Sequence, residues 1–147
     1  SPDPEPMYRT MRAALSDAEL EPGELSAISA NGSSSVFYDP LEARAIERLL
    51  GPKVDDVPVH SIKGAVGQIG AVTPALQSIA ASHSVAENAI PPTCNHDEPF
   101  EECPIRIDAD GHQDARVDHV LCNAIGFGGY YYASWVISKV LAVPQRS

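Results

Sequence analysis

Lys63 is the residue in this chain whose chemistry is most constrained by its setting. It stands between a short apolar stretch ending at Ser61 and a long Ala/Val/Ile/Leu-rich stretch. A lysine there must find acceptors or give up part of its basicity, because desolvation penalises the charged form. Asn31, beside Gly32 and the serines 33 to 35, reads as a loop residue whose amide serves nearby backbone. Gln68 reads as a polar group near the start of the apolar stretch. The five histidines, His60, His83, His96, His112 and His119, have no spacing that matches a strong metal signature such as His-x-x-x-His. They read as surface or core residues, and His60 draws notice only because it lies just before Lys63. Cys94, Cys103 and Cys122 are odd in number and form no Cys-x-x-Cys pair, which predicts reduced, structural thiols, with Cys122 a small core residue. No metal and no cofactor is expected.

The elements that must position these groups follow from periodicity and punctuation. Met7, Met11, Ala14 and Leu15 recur at helical spacing between Pro4/Pro6 and Pro22-Gly23, which predicts an amphipathic helix over residues 5 to 18. Leu25 to Ala30 reads as a short strand. Asp39 is expected to N-cap a helix with Pro40 at N1 and Glu42 at N3, running to Leu50 and stopping at Gly51-Pro52. Val57 to Ser61 reads as a second strand. Residues 66 to 88 predict a helix buried on nearly every side; Pro74 either kinks it or marks its start, with Thr73 as N-cap and Pro74 at N1. Residues 91 to 116 read as a long surface connection holding a short strand at Ile105 to Ile107. Val117 to Ala124 and Tyr131 to Val140 read as antiparallel strands joined by a turn at Gly126 to Gly129. This order makes a layered α/β half-fold, a mixed sheet with a buried helix.

Composition excludes more than it assigns. Hydrophobic residues make up 44% of 147 residues, with no apolar run near the roughly 20 residues needed to span a bilayer, so no membrane role is expected. The formal net charge of −10 argues against a broad nucleic-acid face. A cytoplasmic setting is expected. No signal peptide or lipidation pattern is read at either end, and an opening Ser1 in place of Met reads as a processed, trimmed or tagged terminus.

Several stretches, in order, resemble the C-terminal half of a β-ketoacyl synthase. Pro2-Asp3-Pro4 precedes Ala13-Ala14-Leu15-Ser16-Asp17-Ala18. Asn31-Gly32-Ser33-Ser34-Ser35 is similar to the family's His-Gly-Thr-x-Thr loop and is followed by Asp39, Glu42 and Ala43. Ser61-Ile62-Lys63 and Gly67-Gln68 resemble its Ser-x-Lys and Gly-His pair. Pro91-Pro92-Thr93 with Asn95 resembles Pro-Pro-Thr-x-Asn, and Asn123 to Gly129 resembles Asn-Ser-Phe-Gly-Phe-Gly-Gly.

The resemblance implies that residues 1 to 147 are the C-terminal half of a thiolase-like fold. The N-terminal half would then be a separate chain or fragment packed on the buried helix. It also implies that Asn31 and Gln68 stand where the family carries its two catalytic histidines, that Lys63 is a supporting residue, and that Phe127, Gly128 and Ile125 border the acyl pocket. Two imidazole N–H groups normally stabilise the oxygen on which enolate charge develops; an amide still donates but does not titrate near neutral pH. The expected function is that of a chain length factor-like subunit, a catalytically impaired ketosynthase relative that pairs with an active ketosynthase and an acyl carrier protein in polyketide or fatty-acid-type chain elongation. Pro74 and the run Glu42 to Ile46 are also similar to those factors. The alternative is an active condensing enzyme or acyltransferase whose nucleophilic cysteine lies in an absent N-terminal half.

Overall fold

The computed structural model describes residues 3–101, 103–126 and 131–140. Helix α1 (Glu5–Asp17) buries Met7, Met11 and Leu15, a spacing of four that places all three on one face. Pro6 is tolerated in its first turn because the missing N–H has no partner there. A short 3₁₀ turn, Pro22–Glu24, leads into strand β1 (Ala27–Ser29). Helix α2 (Tyr38–Leu50) follows, burying Leu41, Ala45, Ile46 and Leu49.

Strand β2 (Val59–His60) ends at a one-turn helix, α3 (Lys63–Val66). Then come a 3₁₀ turn at Gly70–Val72, helix α4 (Thr73–Glu87) and the strands β3 (His119–Ile125) and β4 (Tyr132–Ser138). The sheet runs β2-β1-β3-β4. β1 pairs in parallel with both neighbours, Ile28 opposite Val59 on one side and Leu121 on the other. β3 and β4 are antiparallel, as the sequence predicts, with Cys122 opposite Trp135.

Alternation along the strands separates two cores. On one face Ile28, Val59 and Leu121 pack with Met11 and Leu15 of α1 and Ile46 and Leu49 of α2. On the other, Ala27, Val120 and Cys122 pack with Ala81 and Val85 of α4. Leu15, Ile28, Ile46 and Leu121 are fully buried, each worth about 1.5–3 kcal/mol relative to exposure. The result is the layered α/β arrangement with a mixed sheet that the sequence predicts.

Some expectations need correction. Asp39 does not cap α2, which begins at Tyr38; the Ser35 hydroxyl accepts the backbone N–H groups of Phe37 and Tyr38 instead. α4 starts at Thr73 with Val72 as the flanking residue, because Gly67 and Gly70, at φ of 79° and 62°, turn the chain before it. Nor is α4 buried all round: Ile79 is more than half exposed, and Val66, Ile69 and Val72 stand out just before it. Ile105 to Ile107 forms no strand; Ile107 makes an isolated parallel bridge to Val59. Of the turn at Gly126 to Gly129, only Gly126 lies within the described residues.

Candidate functional site

The loop after β1 is held by carboxylates from α2. Glu42 accepts the backbone N–H of Asn31 at 2.8 Å and of Gly32 at 3.1 Å, and the side-chain amide of Asn123 at 3.2 Å. Asp39 accepts the backbone N–H groups of Ser33 and Ser34. These acids are therefore committed to the loop, which is the physical reason Asp39 is unavailable to its own helix.

Gly32, at φ of 41°, passes so close to β2 that an added Cβ would lie 2.7 Å from the Ser61 Cβ. Only a glycine fits both the backbone and the space. Beyond Ser61 the chain turns into α3, and the Pro-Pro-Thr-x-Asn stretch clamps that corner. The Thr93 hydroxyl accepts the Ser61 N–H, and the Asn95 amide donates to the Gly64 carbonyl at 2.9 Å.

Lys63 and Asn31 meet where these segments converge. Lys63 Nζ donates to Asn31 Oδ1 at 2.6 Å, and the backbone N–H of Ile125 donates to the same oxygen at 3.1 Å. Burial lowers the Lys63 pKa, opposed by the negative charges of Glu42 and Asp39. Burial raises that of Glu42, opposed chiefly by the two N–H groups it accepts. Lys63 and Asn31, two of the residues singled out from the sequence, are thus directly bonded to each other.

Gln68 does not join them. It is exposed on the glycine-flanked turn after α3 and sits on the wall of a cleft of about 560 Å³ with Lys63, Gly64, Ser33 and His96. Ile125 reaches the centre through its backbone, while its side chain packs against the core beneath α1 and α2. Phe127 and Gly128 lie outside the described residues.

His60, Cys94 and His96 line the same cleft, but among the described residues no histidine or cysteine side chain bonds Lys63 or Asn31. His60 is buried, and neither ring nitrogen has a hydrogen-bond partner among the described residues. Burial brings its pKa down to about 4, against a smaller opposing effect of Asp108, so it is neutral at physiological pH. Cys122 lies in the core with its thiol pushed up to about 12.

Sequence reasoning missed two anchors. Glu42 reads as an ordinary helix N3 residue, yet it falls within the apolar stripe Leu41, Ala45, Ile46 and Leu49, where an acid requires buried donors. That placement was the available signal. Gln77 of α4 is buried, and its amide nitrogen lies within 3.0–3.4 Å of the Ser29, Ala30 and Asn123 carbonyls and the Ser29 hydroxyl. It ties α4 to the strand ends that carry Asn31 and Asn123.

A family described as "Beta-ketoacyl synthase, C-terminal domain" matches residues 1–97. The chain belongs to the β-ketoacyl synthase family. Among curated relatives, it is 35% identical over 146 residues to the tetracenomycin polyketide synthase ketoacyl synthase alpha subunit of Streptomyces glaucescens, covering 99% of this chain and 33% of that protein. Of solved structures, the ishigamide ketosynthase/chain length factor is similar over 95% of this chain and 34% of its own, with a TM-score of 0.86 and 28% identity. The AntDE:AntF complex, a type II polyketide synthase acyl-carrier protein with its ketosynthase bound to the hexaketide, is similar over 91% of this chain and 33% of its own, with a TM-score of 0.84 and 29% identity. This β-ketoacyl synthase-type chain has the thiolase-like fold of its relatives and spans about a third of the length of the curated ones.

Proposed function

We propose that this chain is the C-terminal half, over residues 1–147, of a chain length factor-like subunit that supports ketosynthase-type chain elongation without catalysing it. The observation that carries the reading is the Asn31 side chain. Its carbonyl oxygen is engaged by Lys63 Nζ and the Ile125 N–H, so the position works as a fixed hub of the loop and offers no proton to exchange. Gln68, the other position, stands apart on an exposed turn.

The exposed apolar side chains of Ile79 on α4 and of Ile69 and Val72 in the turn before it suit the packing of an N-terminal half, supplied as a separate chain or fragment. Apolar surface of that kind is uncommon on a finished soluble fold. An active ketosynthase and an acyl carrier protein are the partners that the similar complexes support. Among the described residues no helix is long and apolar enough to cross a membrane, and the proposed setting is the cytoplasm.

A second reading has its own support: 35% identity to a ketoacyl synthase alpha subunit favours an active condensing enzyme with Asn31 and Gln68 as neutral donors beside a cysteine of the other half. Reading the residue in the nucleophile slot of the full-length protein, then assaying that protein with acyl- and malonyl-carrier, decides between them. A slot without cysteine and no condensation supports the first; a cysteine with turnover supports the second.

A further inference from the structure

Two of the three cysteines lie on one strap of the chain. The backbone N–H of Thr93 donates to the Asp108 carbonyl at 2.9 Å, and that of Asp108 to the Val59 carbonyl at 2.7 Å. The segment leaving Thr93 therefore returns to the place it left, beside β2. Cys94 stands directly after this neck, and Cys103 lies on the returning limb. Cys122 is apart from both, buried in the core.

The outgoing limb is pinned to its neighbours. Thr93 accepts the Ser61 N–H, Asn95 donates to the Gly64 carbonyl, and the Cys94 carbonyl lies against Gly64 where a Cβ has no room. Cys94 is exposed there and lines the cleft. The segment around Cys103 is held differently. Its backbone N–H donates to the Phe100 carbonyl at 3.2 Å and its thiol to the Ile105 carbonyl at 3.3 Å, both within the strap. Phe100 and Ile105 face the same cleft of about 560 Å³ as Cys94. The two thiols thus sit on the two limbs bordering one cleft, with Phe100 between them in the chain. Asp97, Glu98, Glu101 and Glu102 surround them in sequence, a negative setting that repels anionic oxidants and admits uncharged ones.

We infer that Cys94 and Cys103 are a redox pair, oxidised by an uncharged low-molecular-weight disulfide to an intramolecular bridge that closes the strap over the cleft. The Cys94 thiolate attacks one sulfur of the reagent, forming a mixed disulfide and releasing one thiol. The Cys103 thiolate then attacks the Cys94 sulfur and releases the second. The cysteines give up two electrons and two protons, and the broken S–S bond of the reagent takes them up. Bridging needs Cα atoms within about 4.4–6.8 Å, and the swing of the segment around Cys103, with its hydrogen bonds inside the strap, brings them there. In a reducing compartment such a bridge is a reversible switch and not a permanent staple. It goes beyond the proposed subunit role and holds whether or not the chain condenses.

The test incubates the full-length protein with hydroxyethyl disulfide and mercaptoethanol, with Cys94→Ser and Cys103→Ser as variants. Non-reducing peptide mapping by mass spectrometry is expected to join the peptides carrying Cys94 and Cys103 and to find Cys122 reduced. Each variant is expected to lose the bridge and to carry mercaptoethanol on its remaining strap cysteine. In the folded protein the bridge is expected at an oxidant level at least about tenfold lower than in urea, because the fold keeps the thiols in reach. Amide hydrogen exchange of residues 96–101 is expected to slow on oxidation and to recover on reduction. Mixed disulfides without a bridge overturn the inference, as does a bridge that forms equally readily in urea. A bridge that leaves strap exchange unchanged overturns the closure.

Discussion

Glu42 and Asn31 are joined through the backbone: the buried carboxylate of one accepts the main-chain N–H of the other at 2.8 Å. A helix thereby fixes the loop that carries the candidate site, and an acid inside an apolar stripe gains its donors. Glu42→Gln preserves shape but turns an NH₂ toward backbone donors. Leaving a buried group unmatched costs about 1–3 kcal/mol, which urea unfolding of the variant measures.

That same acid predicts a pH effect. Its folded-state pKa lies above the ordinary 4.5, so in that range the folded state holds more protons than the unfolded one. Stability then decreases as pH rises from about 4.5 through the folded value. Glu42→Gln removes this slope, and the difference between the two pH–stability curves isolates it.

His60 acts in the opposite sense. Its pKa is 6.5 when the imidazole is free in water and about 4 when buried, so the unfolded chain takes up the proton first. The stability that neutrality supplies is complete above pH 6.5 and is lost as pH falls toward 4, in total about 3 kcal/mol. His60→Phe flattens the acid limb in calorimetry carried out between those values.

Gln77 donates into a group of acceptors at the ends of β1 and β3. Gln77→Leu fits a side chain of similar length but leaves buried carbonyls unpaired, a loss of about 2–3 kcal/mol. Thermal unfolding checks it, with Ser82→Ala, on the exposed side of the same helix, as the near-neutral comparison.

The outward face of α4 predicts an association defect. Ile79→Asp places a charge on an exposed position and leaves this chain's own core intact. When the N-terminal half is supplied as a separate polypeptide, its affinity for the variant is expected to fall at least about tenfold, measured by titration calorimetry.

Much of the fold is legible in the sequence because periodic signals are local. Met7, Met11 and Leu15 announce α1, and the antiparallel pair at the C-terminal end follows from adjacent apolar runs. The expectation that α4 is buried all round fails because composition reports apolarity and not which side a partner covers; Ile79 faces outward while Ala81 faces in. Ser35, not Asp39, receives the first N–H groups of α2, since competing uses of one carboxylate depend on distant backbone. The meeting of Lys63 with Asn31, 32 positions apart, is accessible from sequence only through the resemblance. Glu42 and Gln77 need three dimensions, because their partners come from separate strands.

The most direct measurement is carbon dioxide release and product formation by the full-length protein given acyl- and malonyl-carrier, compared with its Asn31→His/Gln68→His variant. The account predicts no condensation from either where the nucleophile slot lacks cysteine, and none above background from the unmodified protein. Sustained condensation by the unmodified protein, abolished by Asn31→Ala, would contradict it.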